Sequence, residues 1–283
     1  MTFAVADLVD CLALQPDGPD TFLGSSPQAG WQRLFGGLVL GQALAAMERS
    51  CAERPAHALH ALFLRPGDPA LPTRYAVTRL RDGRSFSARQ CIASQGDAVI
   101  LTAFASFQDG EEGLEHQTSM PDVPAPETLP TMDDILARFG ASLPSAMRAY
   151  LGRERVVDLR PVDLSRLAGE PVGGGQVVWL RVATPLPVDA GLHRAVLAYL
   201  SDLTLLDVTL AQHGGSIFDS AVQAASLDHA LWLHRPVQAD DWMLYVQDSP
   251  SAGNGRGFAR GSIFSRDGHL VASVAQEGLI RRR

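Results

Sequence analysis

Two long hydrophobic segments constrain the fold of this chain more than any other feature. One spans residues 35–47 and is apolar on every side, and the other spans residues 192–206 and is mostly apolar. Both are longer than a typical strand, and a helix without a polar face must be surrounded by other elements. The sequence therefore predicts two central helices, each buried in its own half of the molecule.

Extended segments bounded by turn residues follow each of these helices. At about 3.3 Å per residue, a ten-residue strand spans about 33 Å, which is long enough to wrap around a central helix. A helix followed by long antiparallel strands, twice over, predicts an α+β fold. The predicted strands are 57–65, 73–81, 85–94 and 99–108 in the first half, and 176–183, 226–234, 242–247, 256–265 and 269–279 in the second. Further helices are predicted at 7–14 and 135–151.

The two halves also resemble each other in sequence. HALFLRP at 60–66 is similar to HALWLHRP at 229–236, with one residue inserted, and SFSAR at 85–89 is similar to RGFAR at 256–260. Both pairs are about 170 residues apart and in the same order, which indicates an internal duplication.

The segment that joins the two halves has a different composition. Acidic residues and several prolines replace the apolar pattern from residue 109 onwards, which is typical of an interdomain linker. We therefore expect an N-terminal domain at 1–108, a linker with a helix at 109–155, and a C-terminal domain at 156–283.

Composition and charge exclude several classes of function. The chain has no lysine, so Schiff-base chemistry, a pyridoxal phosphate linkage and a P-loop phosphate clamp are excluded. A net charge of −7 without a basic stretch argues against nucleic-acid binding. No apolar run approaches the roughly 20 residues of a membrane helix, and the first 14 residues lack the basic start of a secretory signal. We therefore expect a cytoplasmic protein without membrane contact.

Neither a metal site nor a covalent nucleophile is predicted. The three cysteines, Cys11, Cys51 and Cys91, show no paired spacing, so we interpret them as buried structural thiols. His57 and His60 point to opposite faces of their predicted strand. The G-x-S-x-G turn of α/β-hydrolases is missing, and no cofactor is expected.

Three polar residues stand where the pattern calls for apolar ones. Asp202 lies within the second buried helix, Ser226 opens a predicted strand, and Gln276 ends another. A buried carboxylate costs several kcal/mol unless it is compensated, and such groups are frequent at functional sites. The alternatives are a solvent-facing helix end for Asp202, a plain strand-start hydroxyl for Ser226 and an edge position for Gln276. Asp228 is the reserve candidate for the acid.

Nearly the whole chain resembles the type II acyl-CoA thioesterases, the double hot-dog family of bacteria and peroxisomes. The linker, from 109 to about 155, has no match. The matching stretches are FGGLVLGQAL at 35–44, FLRPGD at 63–68, LRDGRSFSAR at 80–89, SLDHALWLHRP at 226–236, RGFAR at 256–260 and AQEG at 275–278. The resemblance implies a tandem hot-dog fold, in which two long antiparallel sheets each wrap a central helix and join into one continuous sheet.

The resemblance also implies which residues carry the reaction. In that family an aspartate, a threonine and a glutamine hold the reactive water, and these correspond to Asp202, Ser226 and Gln276. The family's usual glutamine in the first helix motif is Leu38 here. The expected function is hydrolysis of acyl-CoA to free fatty acid and CoA. Backbone N–H groups around Gly36, Gly37 and Leu38 are the expected oxyanion hole.

Other expectations concern partners and alternatives. We expect a homo-oligomer of at least two chains, and Arg79, Arg81, Arg84 and Arg256 are candidates for CoA-phosphate contacts. A catalytically inactive acyl-CoA binding or sensing protein is one alternative. A hot-dog enoyl-CoA hydratase is a weaker one, because Asp207 stands where that chemistry needs a histidine. Setting Gly36 and Gly37 against 193–194 places Ala45 opposite Asp202 and predicts one active site per chain.

Overall fold

A computed structural model describes residues 4–27, 33–152, 156–168, 173 and 175–283 of the chain. Its helices are α1 (Val5–Leu12), α2 (Gly36–Arg49), α3 (Met132–Phe139), α4 (Ser145–Leu151) and α5 (Ala190–Ser201), with short 3-10 helices at Pro126–Thr128, Ser165–Ala168 and Leu206–His213. Its strands are β1 (Gln15–Pro16), β2 (Thr21–Gly24), β3 (Ala56–Phe63), β4 (Thr73–Asp82), β5 (Phe86–Gln95), β6 (Ala98–Gln108), β7 (Val157–Pro161), β8 (Gln176–Val182), β9 (Val222–Ser226), β10 (Asp228–Leu233), β11 (Met243–Gly253), β12 (Arg256–Ser265) and β13 (Leu270–Arg282).

The strands form one sheet, as the resemblance implied. Twelve of them follow the order β1-β2-β4-β5-β6-β3-β10-β13-β12-β11-β8-β7, and β9 pairs with β13. The pairing of β3 with β10, in which Leu59 lies opposite Leu231, joins the first half of the chain to the second. The predicted tandem hot-dog architecture is therefore confirmed.

The two central helices pack against each other inside this sheet. Ten of the fourteen residues of α2 are buried, and a Cβ atom at Gly41 would lie only 2.7 Å from the carbonyl oxygen of Ala195 in α5. Glycine at this position therefore permits the close approach of the two helices. The helical stretch Ala190–His213 meets the length and composition of a membrane span, but 78% of that window is buried in the protein, as a central helix requires.

Several element boundaries differ from the predictions. The helix predicted at 135–151 is two helices, because α3 ends at Phe139 with Gly140 as its C-cap and α4 begins only after Pro144. The helix predicted at 192–206 ends at Ser201 and gives way to a 3-10 helix. The strand predicted at 226–234 is interrupted at Leu227. Strands β1, β2 and β7, and β9 apart from Ser226, were not predicted.

The residues that match between the two halves in sequence do not occupy equivalent positions in the sheet. His60 is exposed on β3, whereas His229 of β10 has only 1% of its surface accessible. Similarly, the side chain of Arg89 is 2% exposed and that of Arg260 is 56% exposed. Because a shift of one residue in a strand reverses its faces, residues matched by sequence are not spatial equivalents.

Candidate active site

Asp202 lies at the end of α5, not inside the helix as predicted. It is the C-cap residue, yet only 7% of its surface is accessible, so the solvent-facing alternative is wrong. Its carboxylate faces the first turn of α2, where the backbone N–H of Gly37 favours the charged form and so lowers its pKa. The positive end of the α2 dipole favours a negative charge at this position.

The two glycines at the start of α2 allow this contact. A Cβ atom at Gly36 would lie 2.8 Å from Oδ2 of Asp202 and 3.1 Å from the ring of Phe63. A Cβ atom at Gly37 would lie 2.5 Å from the carbonyl oxygen of Tyr199. Any larger residue would push the carboxylate or α5 away from the end of α2.

Gln276 links the carboxylate to the serine predicted beside it. Its Nε2 donates to Oδ1 of Asp202 at 2.8 Å and to Oγ of Ser226 at 2.7 Å. Gln276 is fully buried, and the Ser226 hydroxyl also favours the charged form of the Asp202 carboxyl group, which lowers its pKa. The three side chains predicted from separate segments therefore meet. Ser226 ends β9 instead of opening a strand, and Gln276 lies in the middle of β13 instead of at its end.

The environment of Asp202 makes its carboxyl group a base of moderate strength. Burial raises its pKa from 3.8 to about 6, although hydrogen bonds from Gln276, Gly37 and Ser226 favour the charged form. A pKa near 6 leaves the group ionised at neutral pH and still able to accept a proton.

A buried histidine beside this group was missed by the sequence interpretation. Nε2 of His229 lies 2.8 Å from Oγ of Ser201, and its Nδ1 lies 3.9 Å from Oδ1 of Asp202. In a regular strand His229 would face away from Ser226, but the interruption at Leu227 brings both side chains to the site. The histidine is part of the quoted motif, so the missing signal was this interruption.

His229 is neutral and presents an acceptor to the site. Burial lowers its pKa to about 4. We assign the ring proton to Nε2, which then donates to the Ser201 hydroxyl while that hydroxyl donates to the carbonyl of Ala198. Within the described residues, Nδ1 of His229 and Oε1 of Gln276 are buried without a hydrogen-bond partner. Together with Asp202 they form a group of acceptors suited to a small donor such as water.

The remaining predicted residues lie around this group. The Leu38 N–H is bonded to the carbonyl of Phe35 at 3.1 Å, so Gly36 is the first-turn residue whose N–H has no bond among the described residues. Asp228 accepts the backbone N–H of Glu277 at 2.6 Å.

Of the arginines suggested for CoA phosphate, two are paired with carboxylates. Arg79 bonds Asp20, and Arg256 bonds Glu277, both at the surface. Arg81 and Arg84 accept hydrogen bonds through their backbone carbonyls, from Arg89 and Arg54 respectively.

The spatial counterpart of Asp202 in the first half is Glu48, not Ala45. A twelve-residue step from the first residue of each helix leads from Ala190 to Asp202 and from Gly36 to Glu48. The alignment made from sequence was therefore wrong by about one helical turn. Glu48 is bonded by Arg194 of α5, and its side chain is only 11% exposed.

Among the residues that the structure describes, no three His, Cys, Asp or Glu side chains are arranged to hold a metal ion. All three cysteines are buried and free, and burial raises the pKa of Cys91 to about 12. The prediction that the cysteines are buried thiols is therefore confirmed.

Comparisons with known proteins agree with this architecture. The family model for acyl-CoA thioesterase matches residues 150–279, and that for the acyl-CoA thioesterase N-terminal domain matches residues 25–108. Acyl-CoA thioesterase 2 of Haemophilus influenzae is 36% identical over 99% of both chains. Human acyl-coenzyme A thioesterase 8 is 37% identical over 95% of this chain and 87% of its own length.

A solved structure shows the same relationship. The acyl-CoA thioesterase II TesB2 of Mycobacterium marinum has 39% sequence identity to this chain, covers 98% of it with 97% of its own length, and superposes with a TM-score of 0.80. Full-length identity at this level, with the same fold and two matching family models, leads to one conclusion. The chain belongs to the acyl-CoA thioesterase family and is a thioester hydrolase.

Proposed function

We propose that the protein hydrolyses acyl-CoA to a free fatty acid and CoA with a water molecule activated by Asp202. The observation that carries this proposal is the buried contact of Asp202 with Gln276 and Ser226. A carboxylate with a pKa of about 6 can accept a proton from water at neutral pH. General-base assistance of this kind contributes roughly 10²–10⁴ to the rate.

The proposed reaction has two proton transfers. Asp202 takes a proton from water as the water oxygen attacks the thioester carbon, and the thioester oxygen becomes negatively charged. The carbon–sulfur bond then breaks, the carbonyl re-forms, and the departing thiolate of CoA takes the proton from Asp202. No covalent enzyme intermediate is needed.

We assign different roles to the groups around the carboxylate. Ser226 and Gln276 hold the water in position, and the acceptors on Gln276 and His229 restrict how it can turn. The Gly36 N–H, at the positive end of α2, is the donor we assign to the thioester oxygen. The site would then combine a carboxylate from the second half with a helix end from the first.

A free-thiol assay tests this proposal. The purified protein should release CoA from simple acyl-CoA esters, and Asp202→Asn should lower kcat by about 10² or more because an amide cannot accept the proton. Asp228→Asn is the matched control and should retain most activity. Tight binding of acyl-CoA without any CoA release would instead support the binding or sensing function.

We also propose that the protein acts in the cytoplasm, without a cofactor, as a homo-oligomer. The support for an oligomer is a group of apolar side chains exposed on the central strands β3, β5, β6 and β10. Contiguous exposed apolar surface commonly marks an interface. The side chains are Leu62, Ile92, Phe104 and Trp232, each at least 37% exposed.

A further inference from the structure

A buried serine in the last turn of α5 connects the helix backbone to the histidine of the site. Ser201 is fully buried. Its hydroxyl donates to the carbonyl of Ala198 at 2.9 Å and lies 2.8 Å from Nε2 of His229. The sequence pattern did not single out Ser201, and the proposed proton transfers do not involve it.

The end of the helix commits this hydroxyl to Ala198. The last four carbonyl groups of a helix lack the usual N–H partner four residues further on, and Ala198 belongs to this group in α5. The N–H of Asp202, which would reach Ala198 if the helix continued, bonds the carbonyl of Leu200 instead. The Ser201 hydroxyl therefore supplies the donor that Ala198 needs, and its single proton is not free for the histidine.

This commitment decides which nitrogen of His229 carries the ring proton. A neutral imidazole has one donor nitrogen and one acceptor nitrogen. Because the Ser201 oxygen accepts from the ring, Nε2 is the donor and Nδ1 is left as the acceptor. Nδ1 lies 3.9 Å from Oδ1 of Asp202 and has no hydrogen-bond partner among the described residues. That separation is longer than a hydrogen bond, as expected for two acceptors.

The unpartnered nitrogen affects the two charge states of Asp202 differently. Beside the ionised carboxylate, the lone pair of Nδ1 faces a negative charge and offers it no hydrogen bond. Once the carboxyl group is protonated, its O–H can donate to Nδ1 after a movement of about 1 Å. A group that bonds only the neutral form of an acid raises the pKa of that acid. The ring itself stays neutral, because burial lowers its pKa to about 4.

The other groups around Asp202 do not have this effect. Gly37 of α2, Ser226 of β9 and Gln276 of β13 do not titrate, and each favours the charged form of the carboxyl group. On β11, the phenol of Tyr245 also interacts with the charge of Asp202. It stays neutral, because burial raises its pKa well above 10, and its hydroxyl already donates to the last carbonyl of α5.

We propose that Ser201 and His229 are positioning residues for the reaction: Ser201 holds the ring so that Nδ1 stays an acceptor, and this acceptor makes Asp202 a stronger base. The inference rests on the proposed function, in which Asp202 takes a proton from water and later gives it to the thiolate of CoA. While Asp202 holds that proton, Nδ1 accepts a hydrogen bond from it, and the ring takes up no proton. In the other tautomer, an N–H group beside the carboxylate would favour its charged form and weaken the base.

Nitrogen-15 NMR of histidine-labelled protein measures the tautomer without turnover. The chain has eight histidines, and the His229 signals are those lost in His229→Asn. In the wild type, Nδ1 should be unprotonated, and its signal should shift near pH 6, where Asp202 gains its proton. Asp202→Asn should abolish that shift. A protonated Nδ1 at pH 8, or an Nδ1 signal that does not respond to Asp202, would overturn the inference.

Removal of the serine hydroxyl tests its role. Ser201→Ala should move the ring proton to Nδ1, lower the pH at which kcat/KM reaches half its plateau by about one unit, and lower kcat at pH 8 about threefold because the base is weaker. KM should change little. Ser249→Ala also removes a buried hydroxyl that donates to a backbone carbonyl, and it should keep the wild-type profile. An unchanged tautomer and pH profile in Ser201→Ala would contradict the inference.

The two readouts separate this inference from the proposed hydrolysis. If the ring signal follows the charge of Asp202 and the protein releases no CoA from esters, the inference about the pair stands and the hydrolytic proposal fails. If CoA is released and Nδ1 carries the ring proton, the hydrolytic proposal stands and this inference fails. The wild-type spectra decide between these outcomes even where Ser201→Ala does not fold.

Discussion

The charge on Asp202 should destabilise the folded protein over the same pH range in which it makes the enzyme active. Burial raises the pKa of this group from 3.8 to about 6 in the folded state. Between these values the folded state binds more protons than the unfolded state, so the free energy of unfolding falls as pH rises. A difference of about two pKa units, at 1.36 kcal/mol each, corresponds to about 3 kcal/mol.

Asp202→Asn removes this titration and should remove its effect on stability. The free energy of unfolding of the variant, measured relative to wild type, should rise by about 3 kcal/mol between pH 3 and pH 7 and then level off. The amide also changes the hydrogen bonds with Gly37 and Gln276, which shifts the whole curve by about 1 kcal/mol. That shift is independent of pH, so the slope is the informative quantity.

Urea unfolding of both proteins at half-unit steps of pH measures the slope. Asp97→Asn, in an exposed turn, controls for the removal of a carboxylate. In parallel, kcat/KM of the wild type should rise about tenfold per pH unit below pH 6 and stay constant above it, because only the ionised form accepts a proton. A pH-independent stability difference between wild type and Asp202→Asn, or activity that does not titrate near pH 6, would refute the reasoning.

Four further results are expected. Ser226→Ala should lower kcat at least tenfold and Ser226→Thr should not; equal rates in the free-thiol assay would reduce Ser226 to a strand residue. Gly36→Ala should lower kcat roughly tenfold or more without loss of the thermal unfolding transition, because its Cβ would lie 2.8 Å from Asp202 and small displacements in a site are costly; unchanged kcat would argue against the close contact. EDTA should leave activity unchanged, and a loss that zinc restores would contradict a metal-free reaction. Light scattering at micromolar concentration should show at least two chains per particle, and Phe104→Glu should reduce this number; a wild-type particle of one chain would contradict the proposed interface.

The sequence could predict the central helices and single out the candidate site residues, because both stand out from the residues around them. A stretch without a polar face can only be buried, and Asp202 is conspicuous inside such a stretch. Gln276 is similarly conspicuous among the apolar residues of β13. The sheet order and the union of the two halves through β3 and β10 came from the family resemblance, since pairing between distant strands leaves no local pattern.

The sequence could not predict which face of the sheet some strand residues occupy, because this depends on interruptions of a single residue. The interruption at Leu227 reverses the faces of the strand that follows, and this is why His229 reaches Asp202 although alternation placed it elsewhere. The same sensitivity made Arg89 and Arg260 appear equivalent when one is buried and the other exposed. One inserted residue moves every later side chain of a strand to the opposite face of the sheet. In a helix, one inserted residue rotates the later side chains by only about 100°.

Each half places one carboxylate at the end of its central helix, facing the start of the other central helix. The two carboxylates differ in the groups that compensate their charge. Asp202 faces the first turn of α2 and, among the described residues, has no arginine partner, whereas Glu48 faces the start of α5 and is bonded by Arg194. Burial raises the pKa of Glu48, and the arginine opposes this effect. A carboxylate held by a guanidinium group is a poorer base than one held by an amide and a hydroxyl.

In the described part of the first half, the sheet positions that correspond to Ser226 and Gln276 carry no polar side chain. Ser226 lies opposite Gly278 in the sheet, two residues after Gln276. The corresponding pair in the first half is Ala56 and Phe107, and two residues before Phe107 stands Ala105. Alanine replaces both the hydroxyl and the amide, which supports a catalytically inactive first half. That half remains necessary, because the end of α2 provides the N–H groups and the positive dipole that Asp202 and the thioester oxygen would require.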